Sequence, residues 1–146
     1  MRILILDIET KPGMAAVFGL WNQNISLPAL FDSGEMMSFA AKWYGSKEIV
    51  FSSTYHQDKE TMLLTIYTLL EEADAVVTFN GERFDLKILN QEFLKIGLAP
   101  VKPYLSIDLY RTVKNRFRGI SNKLNWWLNY LGIPVKEETG GMQLWV

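Results

Sequence analysis

Cysteine is absent from this 146-residue chain, and histidine occurs once, as His56. Without thiols there is neither a disulfide framework nor a thiolate metal site, so any metal must be held by oxygen ligands or by His56. That donor chemistry favours hard cations such as Mg²⁺ or Mn²⁺. Long apolar runs are also missing. The run near the start, Ile3-Leu4-Ile5-Leu6, is broken by Asp7 and is too short for a signal core or a membrane span. A soluble, intracellular protein with no membrane partner is expected. Acidic residues are absent between Leu109 and Lys136, a stretch that holds Arg111, Lys114, Arg116, Arg118, Lys123 and Lys136. It carries +6, so with a net charge of −1 the other residues together carry −7. Such a stretch is either a solvated basic helix or a surface for phosphates.

What is present suffices for one domain with a real core, spanning 1–146, since the chain is 49% hydrophobic and too short for two comfortable domains. Residues 2–9 read as an almost continuously apolar strand, the pattern of a strand covered on both faces. Segments 36–43 and 47–53, separated by Tyr44-Gly45-Ser46, form a natural hairpin. Asp58 caps a helix to about residue 72, with Met62, Ile66, Leu69 and Leu70 inward. A short strand at 75–79 ends at Asn80-Gly81, and Phe84, Ile88, Leu89 and Phe93 mark a second helix ended by Gly97 and Pro100. A strand at 105–108 leads into a basic helix at 109–117. Ser121 starts a last helix with Leu124, Trp127, Leu128 and Leu131 inward and Trp126 half exposed.

Antiparallel strands followed by strand–helix alternation indicate an α/β architecture, a mixed sheet with helices packed on its faces. Segment 10–35 reads as an irregular loop whose Met14, Trp21 and Phe31 fold over the sheet. The final Gly140–Val146 stretch opens an apolar helix and stops without a cap, so the chain is expected to be cut at its C-terminal end.

The chemistry centres on carboxylates. Alternation along the first strand puts Asp7 and Glu9 on one face, about 6.6 Å apart. Two carboxylates on a central strand repel each other and are normally offset by a cation or by basic partners. Asp85 follows a second strand end and opens a helix, whose N-terminus favours negative charge. Each feature alone has a plain reading, a strand running out into solvent or a helix-start Asp. Together they place carboxylates at two strand ends beside an Asn-Gly turn.

Asp7-Ile8-Glu9-Thr10 resembles the first exonuclease motif of the DEDD (DnaQ-like, proofreading-exonuclease) superfamily, and Thr78-Phe79-Asn80-Gly81-Glu82-Arg83-Phe84-Asp85 resembles the second. The wider pattern, with Trp21-Asn22-Gln23-Asn24-Ile25, Ala41-Lys42-Trp43, Ile107-Asp108-Leu109 and Ser121-Asn122-Lys123-Leu124, is similar to a predicted exonuclease branch of phages and prokaryotes. The resemblance implies a ribonuclease H-like fold, antiparallel in its first three strands and then parallel, with helices on both faces. It also implies two-metal hydrolysis of DNA or RNA from a single-stranded 3′ end, in the cytoplasm of a prokaryotic or phage-infected cell and beside replication or repair proteins. On the family pattern Asp7 would bridge two Mg²⁺ or Mn²⁺ ions, Glu9 would help hold one and orient the terminal nucleotide, and Asp85 would hold the other. Thr10 would meet the terminal sugar, Asn80 and Phe84 would line the strand's path, and Arg111, Lys114 and Lys123 would contact phosphates.

Neither form of the family's third motif, Tyr-x-x-x-Asp or His-x-x-x-x-Asp, is expected after Asp85, so a fourth carboxylate is expected to be missing. Asp108 is the candidate substitute ligand, with capping of the following helix as its plainer role. His56 reads as a surface residue. The alternative to an active exonuclease is a catalytically incomplete nucleic-acid-binding module of the same fold.

Overall fold

The computed structural model describes residues 1–135. Its elements in chain order are β1 (Ile3–Thr10), β2 (Met14–Ala15), a 3-10 turn (Leu27–Ala29), β3 (Leu30–Asp32), β4 (Met36–Trp43), β5 (Val50–Ser53), α1 (Lys59–Glu72), β6 (Ala75–Thr78), α2 (Asp85–Lys95), β7 (Leu105–Asp108), α3 (Leu109–Arg116) and α4 (Leu124–Tyr130). Five strands form one mixed sheet in the order β5-β4-β1-β6-β7. β4 is antiparallel to both β1 and β5, while β6 runs parallel to β1 and β7 parallel to β6. This is the α/β arrangement expected, antiparallel strands first and parallel ones after. The three parallel strands end at Thr10, Thr78 and Asp108, so their carboxyl ends share one edge of the sheet.

Alternation sorts the side chains of β1. Leu4, Leu6 and Ile8 are buried, while Ile5, Asp7 and Glu9 are exposed. Met62, Leu63, Ile66 and Leu70 of α1 and Leu86, Leu89 and Phe93 of α2 close over the buried face, against Met36 and Phe39 of β4. The sequence suggested cover on both faces of β1, yet Ile5 stays 40% exposed. The face it shares is the one that carries the carboxylates. α1 begins where expected: Asp58 accepts from the Thr61 backbone N–H at 2.8 Å, a cap of the kind that contributes about 1 kcal/mol.

Three expectations are corrected. Segment 10–35 is not folded over the sheet: β2 and β3 pair into a two-stranded ribbon, and Met14, Trp21 and Phe31 are all exposed, Trp21 by 84%. No charged residue lies between Lys11 and Asp32, so hydrophobicity alone misled, and the ribbon is held instead by ion pairs at its base. In α2 the inward face is rotated. Phe84 precedes the helix and is exposed, Leu86 takes its inward place, and Glu92 is buried beside Phe93. α4 starts at Leu124 rather than Ser121, whose hydroxyl accepts from the Lys123 N–H just upstream, and of its expected inner face only Trp127 is buried while Leu124 and Leu131 are exposed.

The apolar stretch 140–146 lies outside the described residues. No described helix is long and apolar enough to cross a membrane.

Phe39 stands opposite Ile8 in the β1–β4 register and is among the largest fully buried side chains. Phe39→Ala is expected to cost about 3–5 kcal/mol in denaturant unfolding. A loss below about 1 kcal/mol would show that β4 does not anchor this core.

Candidate active site

β1 outruns its parallel neighbour. The last β1–β6 pair is Ile5 with Val77, and β1 continues to Thr10 while β6 stops at Thr78. The exposed edge is completed by a side chain, because the Asp85 carboxylate accepts the Ile8 backbone N–H at 3.0 Å. Ile8 lies between Asp7 and Glu9, so this bond seats Asp85 one peptide from each of them. Asp85 is only 5% exposed. Burial pushes its carboxyl above the ordinary range, the N–H groups of Ile8 and of Asp85 itself pull it down, and the charges of Asp7 and Glu9 push it up again. The three carboxylates named from sequence therefore feel one another. Next to Glu9 the β1–β4 register slips, an irregularity at Glu9/Thr10 that turns the strand end away from regular pairing.

The turn that delivers Asp85 is specified by two residues. Asn80 adopts a positive φ of 67°, a conformation Asn tolerates better than most side chains. A Cβ on Gly81 would lie 2.4 Å from Thr78 Cβ and Oγ1, so only glycine fits there. Asp108 clamps this turn: it accepts N–H groups from Asn80 at 2.8 Å, from Glu82 at 3.4 Å and from Tyr110 at 2.9 Å. The last bond is its cap on α3, the role expected of it, and both of its oxygens are in use. Asp108 thus positions the turn that carries Asp85.

The expectation that no Tyr-x-x-x-Asp spacing follows Asp85 is corrected: Tyr104–Asp108 has it, though on strand β7 and its approach rather than on a helix. Burial pushes the Tyr104 hydroxyl upward, and its ring packs against the core. In an extended segment residues four apart are separated by about 13 Å, where one helical turn would bring them together.

Thr10 and Phe84 meet in one cleft of about 200 Å³, lined also by Gly34, Ile88 and Gln91. Its charged wall was not foreseen. Lys11 pairs with Asp32 at 2.7 Å and Glu35 at 2.9 Å, while Lys59 pairs with Glu35 and with Glu92 at 2.9 Å. Lys59 and then Lys11 draw the Glu35 carboxyl down to about 2. Glu92 also accepts the Met36 N–H, tying α2 to β4. Nothing in the sequence marks these residues, because their partners lie 21 to 56 positions away.

The basic residues divide. Arg111 is ion-paired with Glu82. Lys114 and Lys123 are exposed, and neither makes an ion pair with a described residue. His56 is exposed and engaged locally, its Nδ1 2.7 Å from the Ser53 hydroxyl, far in the chain from the carboxylates.

Among the described residues, no three carboxylate or imidazole groups are gathered closely enough to hold a metal ion by themselves. The donor set still suits a hard cation. Mg²⁺ is usually held by one or two carboxylates and completes its octahedron with water and substrate phosphate rather than with a protein cage.

A mixed sheet of this order, with an acidic edge at the carboxyl ends of its parallel strands, defines a ribonuclease H-like, nuclease-type α/β fold. The chain belongs to the RNase_H superfamily, whose family model RNase_H_2 matches residues 4–146. Among solved structures it is similar to the family B DNA polymerase of the hyperthermophilic archaeon Pyrobaculum calidifontis, at 16% identity and a TM-score of 0.65. The likeness covers 90% of this chain and 18% of the polymerase chain, and it shows the fold. No curated protein sequence matches significantly.

Because the Asp85 carboxyl is held above its ordinary range, its contribution to stability is present at low pH and lost as pH rises through the raised value. Asp85→Asn keeps an oxygen for the Ile8 N–H and removes the buried charge. In chelator at neutral pH its Tm is expected to rise by a few degrees, since 1 kcal/mol corresponds to about 2–4 °C at this size. If these carboxylates hold Mg²⁺ or Mn²⁺, the ion raises the Tm of the parent chain and not that of the variant. A lower Tm in chelator would mean that the charge itself holds the turn.

Proposed function

We propose that this chain is a metal-dependent 3′–5′ exonuclease module acting on DNA or RNA. The observation that carries this reading is the Asp85–Ile8 bond, which brings a third carboxylate to the two on β1 at the carboxyl edge of a ribonuclease H-like sheet. Asp7, Glu9 and Asp85 would hold two divalent ions, Mg²⁺ or Mn²⁺. Bound there, such ions lower the pKa of a water and stabilise the leaving oxygen of a phosphodiester. The protein's own part is positional. Thr10, at the register slip, and Phe84, across the cleft, receive the terminal nucleotide, with Asn80 along the strand's path. Lys114 and Lys123 offer sequence-independent contacts to phosphates, and Arg111 steadies Glu82 in the turn. Likeness to a stretch of a DNA polymerase supports a replication or repair setting.

A second reading has its own support. Asp108, the substitute ligand expected from sequence, uses both oxygens in the Asn80–Glu82 turn and the α3 cap, and Tyr104 packs against the core. On that reading the chain binds nucleic acid at the same edge without cutting it.

Degradation of 5′-labelled single-stranded DNA and RNA in Mg²⁺ or Mn²⁺, beside an Asp7→Ala control, separates the two. A ladder shortening from the 3′ end and lost at least a hundredfold in the control is the expected result. Binding without any ladder would leave the non-cutting module, and a ladder undiminished in the control would sink the carboxylate assignment.

A further inference from the structure

The basic segment after β7 has an aromatic centre. Trp126 and Tyr130, one helical turn apart on α4, stack with ring centroids 5.2 Å apart and planes 11° from parallel. Trp127 sets its edge against Trp126 at 4.8 Å and contacts Phe117 at 5.7 Å. The loop joining α3 to α4 is pressed onto these rings. A Cβ on Gly119 would lie 2.7 Å from Trp127 Cζ2 and 2.8 Å from Trp126 Cζ3, so the chain between Arg118 and Ile120 lies directly on the two indoles. The backbone that carries Arg118 is thereby held against the aromatic stack.

Four cations of this segment, Lys114, Arg116, Arg118 and Lys123, are exposed and make no ion pair with a described residue. Tyr130 is 69% exposed, with Trp126 on one side of its ring. α3 buries none of its residues, so packing in the core does not explain its surface. Its start is joined to the acidic edge, because Asp108 caps it while clamping Asn80, and Arg111 pairs with Glu82. Eight residues of helix carry the chain about 12 Å from that edge.

We propose that α3, the loop after it and α4 form a docking platform for single-stranded nucleic acid, separate from the site that receives the terminal nucleotide. An unpaired base continues the Trp126–Tyr130 stack, and the four cations hold flanking phosphates. Charge complementarity selects a polyanion, and the stack selects one with free base faces, which a duplex does not offer. The inference rests on the nuclease reading only for where the strand goes next.

The test is binding of 5′-labelled oligodeoxythymidylate by anisotropy, in chelator so that nothing is cleaved. A decanucleotide strand should bind at least tenfold tighter than a duplex of equal length, with a log–log salt slope of roughly −3 for four phosphates. Tyr130→Ala, at an exposed position, should weaken binding about 5- to 150-fold, the span of one base stack. Arg116→Gln and Lys123→Gln should each flatten the slope by about 0.7. Unchanged binding by Tyr130→Ala with its Tm retained, or equal binding of duplex or polyglutamate, would overturn the platform. The two readings fail separately. Binding as described without cleavage keeps the platform and removes the nuclease. Equal cleavage of dinucleotide and decanucleotide, unaltered in Tyr130→Ala, keeps the nuclease and removes the platform.

Discussion

The backbone N–H of Ile8 has no neighbouring strand to bond, because β6 ends before reaching it, and the Asp85 carboxylate accepts it instead. A buried N–H left unpaired would cost about 1–3 kcal/mol. Satisfying it with a carboxylate rather than a carbonyl places a charge where the fold needs only an acceptor. The sheet edge therefore depends on Asp85, while Asp85 is held at some electrostatic cost by Asp7 and Glu9. Structure and chemistry draw on the same atom.

The remaining site geometry follows from keeping that carboxylate in place. The chain must turn sharply after Thr78, which requires a left-handed Asn80 and a side-chain-free Gly81, and it must not fray, which Asp108 prevents by accepting the Asn80 and Glu82 N–H groups of the turn. Asp108 also opens α3. One buried carboxylate thus sets the position of the second motif and the direction of the basic helix. The cleft on the other side of Asp85 is stiffened by Lys59, shared between Glu35 and Glu92, which links the loop before β4 to α1 and α2.

Much of this was legible in the sequence where local pattern decides the outcome. Period-two alternation in Ile3–Glu9 put the carboxylates on a common face, Asp58 announced α1, and Asn80-Gly81 announced the turn. Legibility failed where distant partners decide. Glu92 is buried with its Oε1 accepting from the Lys59 ammonium and the Met36 N–H, and no window around residue 92 contains either. The apolar ribbon read as core because hydrophobicity is a local property, whereas its exposure follows from where the ends of the segment are pinned. Tyr104–Asp108 carries the letters of a helical motif on a strand, and letters without secondary structure cannot show which side chains meet.

The alternation of β1 makes the strand intolerant of length change. Inserting or deleting one residue before Asp7 would turn both carboxylates into the space now filled by Leu6 and Ile8, and push those side chains out. The ribbon between Gly13 and Asp32 is under no such constraint, since its ends are fixed by backbone pairing and by Lys11 while its middle touches little. Variation in length among kindred chains should therefore accumulate within a few residues of a spacing that tolerates none, leaving a fixed ruler of carboxylates beside a freely extensible arm.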